Sequence, residues 1–228
     1  MTGSIASTLA RRAFLGQALA GGALIALPGC ASMGGFSLTE AIRRLLTLSS
    51  ERAFARLIGD GGYWDDAISA AGLGNMLGTR GDVLAGILTS TLFKKRLNRA
   101  FASVAERGAE RAAPIVADAV RTIGIDNAVA LVKGGPTAAT TFLRTGLSGT
   151  LAEAMIPELG QAMKLAEEPL VGQLLNSLVG IDVAGVARNL SGKVDDAIWN
   201  EMGIEEAAIR ANPRATNDPL LIGVFGVM

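Results

Sequence analysis

Acid–base chemistry in this chain falls to carboxylates, because it carries 21 Asp+Glu and no His. Three doublets stand out: Glu167/Glu168, Asp195/Asp196 and Glu205/Glu206. Hydrolysis by paired carboxyls needs two of them across a cleft, with pKa values driven apart. Neighbours on a helix point about 100° apart, so no single doublet makes such a dyad. A pair drawn from two helices would have to be assembled by the fold. The simpler reading of each doublet is a solvated helix face or a partner for a helix N-terminal dipole. Without His there is no Ser-His or Cys-His nucleophile, no imidazole ligand and no unperturbed group titrating near neutrality. No catalytic residue is assigned.

Metal and cofactor chemistry fare no better. Asp60, Asp65 and Asp66 flank Gly61-Gly62-Tyr63-Trp64. Three carboxylates suit a hard cation, but the spacing fits no calcium loop and Asp65 reads better as a helix N-cap. The aromatic pair either plugs the core or sits at a membrane or partner surface. Gly72-Leu-Gly74-Asn-Met-Leu-Gly78 is a near miss of a dinucleotide loop without the strand that must precede one. The single Cys can form neither an intrachain disulfide nor a thiolate zinc site. Ten aromatics and a formal net charge of +0 argue against nucleic acid as a partner. No metal and no cofactor is therefore expected. Lys94, Lys95, Arg96 and Arg99 form the one basic cluster. It reads first as a solvated face, then as a partner for the acidic C-terminal half, then as a contact for anionic headgroups. Glu206 and Arg210 stand four apart and support their helix locally.

The chain's one Cys has the clearest chemistry. Arg11 and Arg12 precede an uncharged, mostly apolar run from Ala13 to Leu27, which ends in Pro28-Gly29-Cys30. A short positive region, a short apolar core and a small residue at the cut form a secretory signal, too short to span ~30 Å of hydrocarbon comfortably. Leu27-Pro28-Gly29-Cys30 resembles the bacterial lipobox, which marks its Cys for lipidation, although Pro28 is an unusual choice there. Arg11-Arg12-Ala13-Phe14-Leu15 also resembles the twin-arginine export motif, with Ala10 and Gly16 departing from it. Both the twin-arginine and the general secretory routes stay open. Cys30 is the expected lipid attachment site, and Arg11 and Arg12 the export signal. Removing residues 1–29 leaves 199 residues with 19 basic and 21 acidic side chains. Ala31 stands where an Asp commonly retains a lipoprotein at the inner membrane, which favours the periplasmic face of the outer membrane.

The elements that must position these residues read as helices. The chain contains 38 Ala, and its β-branched and aromatic residues rarely alternate with the two-residue period of strands. Ser37-Leu-Thr-Glu40 is a capping box opening a helix that runs toward Gly59. Phe93, Leu97, Ala100, Phe101, Val104 and Gly108 fall on one stripe, with Lys95, Arg99 and Arg107 facing water. Pro114 fits the first turn of a new helix. Asp82, Asp126, Ser148, Asp182 and Ser191 are N-cap candidates. Gly124, Gly180 and Gly203 sit where helices should end, and Gly134-Gly135-Pro136 is a stop and fresh start. The expectation is an all-α fold without a sheet: a single compact domain of about eight to ten helices over residues 37–228. The signal peptide, residues 1–29, and a lipidated Cys with a short flexible tether, residues 30–36, precede it.

Several segments together resemble the bacterial domain-of-unknown-function family 4197, a group of predicted periplasmic lipoproteins. They are Leu97-Asn-Arg-Ala100 with Glu110-Arg-Ala-Ala-Pro114, Ala138-Ala-Thr-Thr-Phe-Leu-Arg144, Met155-Ile-Pro157, Glu205-Glu-Ala-Ala-Ile-Arg-Ala-Asn-Pro213 and Val224-Phe-Gly226. Their order and spacing span about residues 37–226. Residues 67–90 depart from the family pattern, which usually has a Pro-containing stretch there, and Asp60-Gly-Gly-Tyr-Trp64 replaces a shorter Gly-aromatic turn. The resemblance implies an α-helical fold and export, and no activity. The expected role is a non-enzymatic envelope lipoprotein, held to the membrane by lipid on Cys30. Its partner would be an envelope protein or an apolar ligand lying in a groove between helices. The alternative is a carboxylate-dependent hydrolase of an envelope polymer. A deep pocket with two or more acids would favour the enzyme, and a dry apolar groove the binder.

Overall fold

The computed structural model describes residues 32–33, 36–59, 62–71, 91–147, 149–164 and 183–226. Arg11, Arg12 and Cys30 lie outside the described residues, as do Asp60, Asp82, Glu167, Glu168, Gly180 and Asp182. Among the described residues eight α-helices form: α1 (Leu38–Ile58), α2 (Tyr63–Ala71), α3 (Thr91–Thr122), α4 (Ala128–Val132), α5 (Ala138–Leu147), α6 (Thr150–Lys164), α7 (Val183–Ala211) and α8 (Pro219–Phe225). A 3₁₀ turn, Pro213–Thr216, joins the last two. The all-α expectation holds, with one small departure in the tether. There Ser32–Met33 pairs antiparallel with Phe36–Ser37, two residues against two.

Helix α1 begins where the capping box places it, with Ser37 Oγ accepting from the Glu40 N–H at 3.3 Å. It stops at Gly59, where a Cβ would lie 2.6 Å from the Ala55 carbonyl oxygen. Its apolar stripe, Ile42, Leu45, Leu46, Ala53 and Leu57, is fully buried. Two serines on that buried face are satisfied within the helix: Ser49 Oγ donates to Leu45 O and Ser50 Oγ to Thr47 O, both at 2.8 Å.

The long helices α1, α3, α6 and α7 close a four-membered ring of packed neighbours: α1 on α3 and α7, and α6 on the same two. Each presents a 3.6-residue stripe to the shared core, including Leu97, Phe101, Val104, Ala105, Ala109, Ala112, Val116 and Val120 from α3. Gly108 lies in that stripe because α3 comes close to its neighbours there. A Cβ would sit 2.9 Å from Leu159 Cδ2 of α6 and 3.6 Å from Val194 Cγ1 of α7. Lys95, Arg99 and Arg107 are exposed, as the stripe requires, whereas the Phe93 side chain lies outside the described residues. Helix α2 packs on α3, α5 on α7, and α4 and α8 on α1.

Several expected helix boundaries are overturned by packing. Pro114 does not open a helix but lies inside the 32-residue α3. It faces solvent, where water can serve the carbonyl left without an N–H donor, while Ala112 and Val116 on either side are buried. Gly203 does not end a helix. It is buried within α7, and a Cβ there would lie 3.2 Å from Thr137 Cγ2 at the start of α5. Ser191 is no N-cap; it is buried in mid-α7 and donates to the Ala152 carbonyl of α6. Asp126 yields to its neighbour, since Asn127 Oδ1 accepts from the Ala130 N–H at 3.1 Å and caps α4. Asp65 is not a cap either. Gly62, at φ +69°, makes the turn into α2, and its carbonyl accepts from Asp65 N–H and Asp66 N–H at 3.1 and 3.4 Å. Both aspartates then lie in the first turn, complementing the helix dipole.

The Tyr63–Trp64 pair plugs the core. Trp64 is buried and its indole N–H donates to Leu57 O at 2.6 Å, so α1 and α2 are tied at their shared turn. The two rings meet edge to face at 5.1 Å. Burial pushes the Tyr63 hydroxyl above its ordinary range, and the neighbouring Glu201 carboxylate, to which it hydrogen-bonds, adds to the shift.

Candidate functional site

A cleft of about 710 Å³ runs between α5 and α7. Thr137, Thr140, Thr141 and Arg144 form one wall; Asp196, Asn200, Gly203, Ile204 and Ala207 form most of the other. The spacings are helical on both sides. Residues 137, 140, 141 and 144 share a face of α5 and its approach, and 196, 200, 203, 204 and 207 share a face of α7. Ile204 is one of two large apolar side chains standing exposed among the described residues, at 46%.

The acidic doublets end up in different surroundings. Arg144 Nη2 donates to Asp196 Oδ1 at 2.7 Å and to Asp195 Oδ2 at 3.4 Å, clamping the start of α7's cleft face to α5. Asp196 is exposed, whereas Asp195 is buried and accepts from the Trp199 indole N–H at 2.9 Å. Burial raises the Asp195 carboxyl above its ordinary pKa, more than the bonds from Trp199 and Arg144 lower it. The folded state therefore holds this proton more tightly than the unfolded chain does. Stability contributed through Asp195 is full below the ordinary aspartate value and falls as pH rises through the raised one. Urea unfolding followed across that window should show a downward slope with rising pH that Asp195→Asn flattens. An unchanged slope in the variant would mean another group sets it.

Glu205 and Glu206 separate further. Glu205 and Glu201 meet Arg56 of α1, at 3.5 and 3.1 Å. Glu206 is fully buried and turns beneath the cleft to the start of α5. There its two oxygens accept from the backbone N–H groups of Ala139 and Thr140 at 3.0 and 2.7 Å. Arg210, one turn on, donates to Glu206 at 2.8 Å through Nε and at 2.7 Å through Nη2. The same guanidinium reaches the carbonyls of Leu131 and Val132 at 2.9 and 3.0 Å, which close α4. It also lies over the Phe225 ring of α8, 4.9 Å from its centre. One ion pair thus caps the end of α4 and the start of α5 across Gly134-Gly135-Pro136. The i,i+4 spacing of Glu206 and Arg210 is legible in sequence; that the pair is buried and serves two other helices is not.

The other candidates are not drawn together. Asp65 and Asp66 are exposed in α2, and no group of three His, Cys, Asp or Glu able to hold a metal occurs among the described residues. Lys95 and Arg99 are exposed, the side chains of Lys94 and Arg96 lie outside the described residues, and the described salt bridges between α7 and other helices include those of Arg52, Arg56 and Arg144. No described helix is long and apolar enough to cross a membrane.

Three of the segments that carry the sequence resemblance therefore meet around Glu206 and Arg210: 138–144, 205–213 and 224–226. Residues 32–226 match the family described as "Protein of unknown function (DUF4197)". The chain belongs to this family. The match covers every described helix, so the DUF4197 unit and the helical domain are one and the same. No curated protein and no solved structure matches the chain.

Proposed function

We propose that this DUF4197 protein is an exported lipoprotein whose helical domain is a non-catalytic binding module, with the α5/α7 cleft as its binding surface. The cleft itself carries that reading. It is open and large enough for a ligand, and its described lining includes one acid, Asp196, already held by Arg144 at 2.7 Å. A hydrolytic pair needs two carboxyls facing one reacting bond. Asp195 turns to Trp199, and Glu206 is committed to the α5 backbone. The lining is mixed rather than a dry apolar groove, since threonines and Asn200 stand beside Ile204 and Ala207.

Anchoring follows from the sequence. A lipid thioether on Cys30 would hold the domain to the membrane, at the periplasmic face of the outer membrane, with no spanning helix. One acyl chain gives marginal anchoring and two or more make it stable. Cys30→Ala should abolish labelling by a fatty-acid analogue and leave an uncleaved precursor or a soluble species. A Cys30→Ala protein that is still processed, labelled and membrane-bound would refute the lipoprotein reading. Binding is tested separately, by amide chemical-shift mapping of the full chain in detergent against envelope extracts. Shifts confined to residues 137–144 and 196–207 are expected, and shifts elsewhere would displace the site.

A further inference from the structure

We propose that the domain rests on the lipid bilayer by the end at which α1 begins, with Val129 of α4 at the acyl boundary, and turns the α5/α7 cleft away from the lipid; this rests on the reading of Cys30 as a lipid anchor. Cys30 lies outside the described residues, but the chain after it limits where its lipid can be. Stretched out, the seven steps from Cys30 to Ser37 would reach about 24 Å. Ser32–Met33 instead folds back on Phe36–Ser37, with Ser32 opposite Ser37. Paired strand residues lie about 5 Å apart, and the two steps from Ser32 to Cys30 add about 7 Å at most. The anchor is therefore within about 12 Å of the Ser37 cap. The Phe36–Ser37 strand also packs on α1 and α8, which ties the hairpin to this end of the domain.

Antiparallel packing decides what shares that end. Arg56 meets Glu201 and Arg52 meets Glu205, so α7 runs opposite to α1 and its last turns come beside the first turns of α1. Arg44 accordingly meets Asp218, which caps α8. Arg43 donates to Ile123 O at 3.4 Å, which brings the end of α3 and the approach to α4 to the same place. Val129, in α4, is 47% exposed. Of the two large apolar side chains exposed among the described residues, Ile204 lines the cleft and Val129 does not. Lys133, also exposed, follows Val129 by four residues. An apolar tip with a cation beside it suits the boundary between acyl chains and phosphates.

The opposite end stands well clear. Helix α1 has 21 residues, a length of about 31 Å. Arg99 lines a hollow with Gly59, Tyr63 and Trp64 past the end of α1, so the basic cluster belongs to the far end and not to the anchor. The α7 side of the cleft, between Asp196 and Ala207, contains Glu201 and Glu205, and these pair with Arg56 and Arg52 in the last two turns of α1. The cleft thus lies along the half of the domain remote from Cys30 and draws its occupant from the aqueous side.

The lipoprotein purified from membranes and placed in nanodiscs of phosphatidylcholine and phosphatidylglycerol, doped with a gadolinium-chelating lipid, tests this through paramagnetic broadening of its amide signals. Residues 38–44 and 127–133 should lose their signals, while 62–66, 99–103 and 196–204 keep theirs. The anionic lipid makes the test stringent, because it gives the basic cluster the chance to pull the domain onto its side. Val129→Asp should leave the melting temperature unchanged and cut the broadening of residues 127–133 by about half. Equal broadening at both ends, stronger broadening at 99–103 or 196–204 than at 38–44, or a Val129→Asp protein broadened like wild type would overturn the orientation. A purified protein without lipid by mass spectrometry would overturn the anchor reading instead. A maleimide lipid coupled to Cys30, the one Cys of the chain, then puts the orientation to the same test.

Discussion

Glu206→Ala should lower the unfolding free energy by about 3–5 kcal/mol, the usual cost of breaking a buried ion pair. The side chain is wholly buried, and its removal leaves more than an unpaired Arg210. The N–H groups of Ala139 and Thr140 lose their acceptor at the first turn of α5. A second variant separates these effects. Replacing a buried pair with apolar residues of similar size is often neutral, because both desolvation penalties vanish together. Glu206→Leu with Arg210→Leu should not be neutral here. It would also strip the carbonyls of Leu131 and Val132 of the donors that Arg210 supplies. Each polar group buried without a partner costs about 1–3 kcal/mol. Urea unfolding of the two single variants and the double variant measures the coupling. A double variant within about 1 kcal/mol of wild type would mean that the two helix ends do not depend on this pair.

Phe101→Ala should cost about 3–5 kcal/mol as well, by a different route. Phe101 is 3% exposed in the middle of the α3 stripe, with Leu97 and Val104 buried on either side of it. Truncation removes most of an aromatic side chain, and the surrounding long helices cannot collapse onto the void without breaking their own contacts. Lys95→Ala, on the exposed face of the same helix, should change stability by less than about 0.5 kcal/mol. Chemical denaturation of both variants measures the contrast. Equal effects would require α3 to be rotated about its axis from the placement that buries Phe101.

Sequence periodicity determined the parts of this protein that depend on near neighbours along the chain. The Ser37 cap, the stop at Gly59, the α3 stripe and the break at Gly134-Gly135-Pro136 are settled by residues within one or two helical turns. Family membership was likewise legible, because short segments in a set order carry it. Tertiary structure alone decided the rest, since each outcome depends on what lies opposite. Pro114 and Gly203 carry local signals for a helix start and a helix end, yet both sit inside helices, because buried neighbours and a close crossing outweigh a local preference of a few kcal/mol. Glu206 shows the same limit most clearly. As a sequence feature it is one half of an acidic doublet, and four residues from Arg210 it reads as surface support. In the fold it lies 67 positions from the Ala139 N–H that it accepts. No pattern of period 3.6 encodes which distant helix end a carboxylate will meet. The α5/α7 cleft exists for the same reason: α5 crosses α7 where Gly203 admits Thr137, and the threonine face of α5 is left opposite a mixed face of α7.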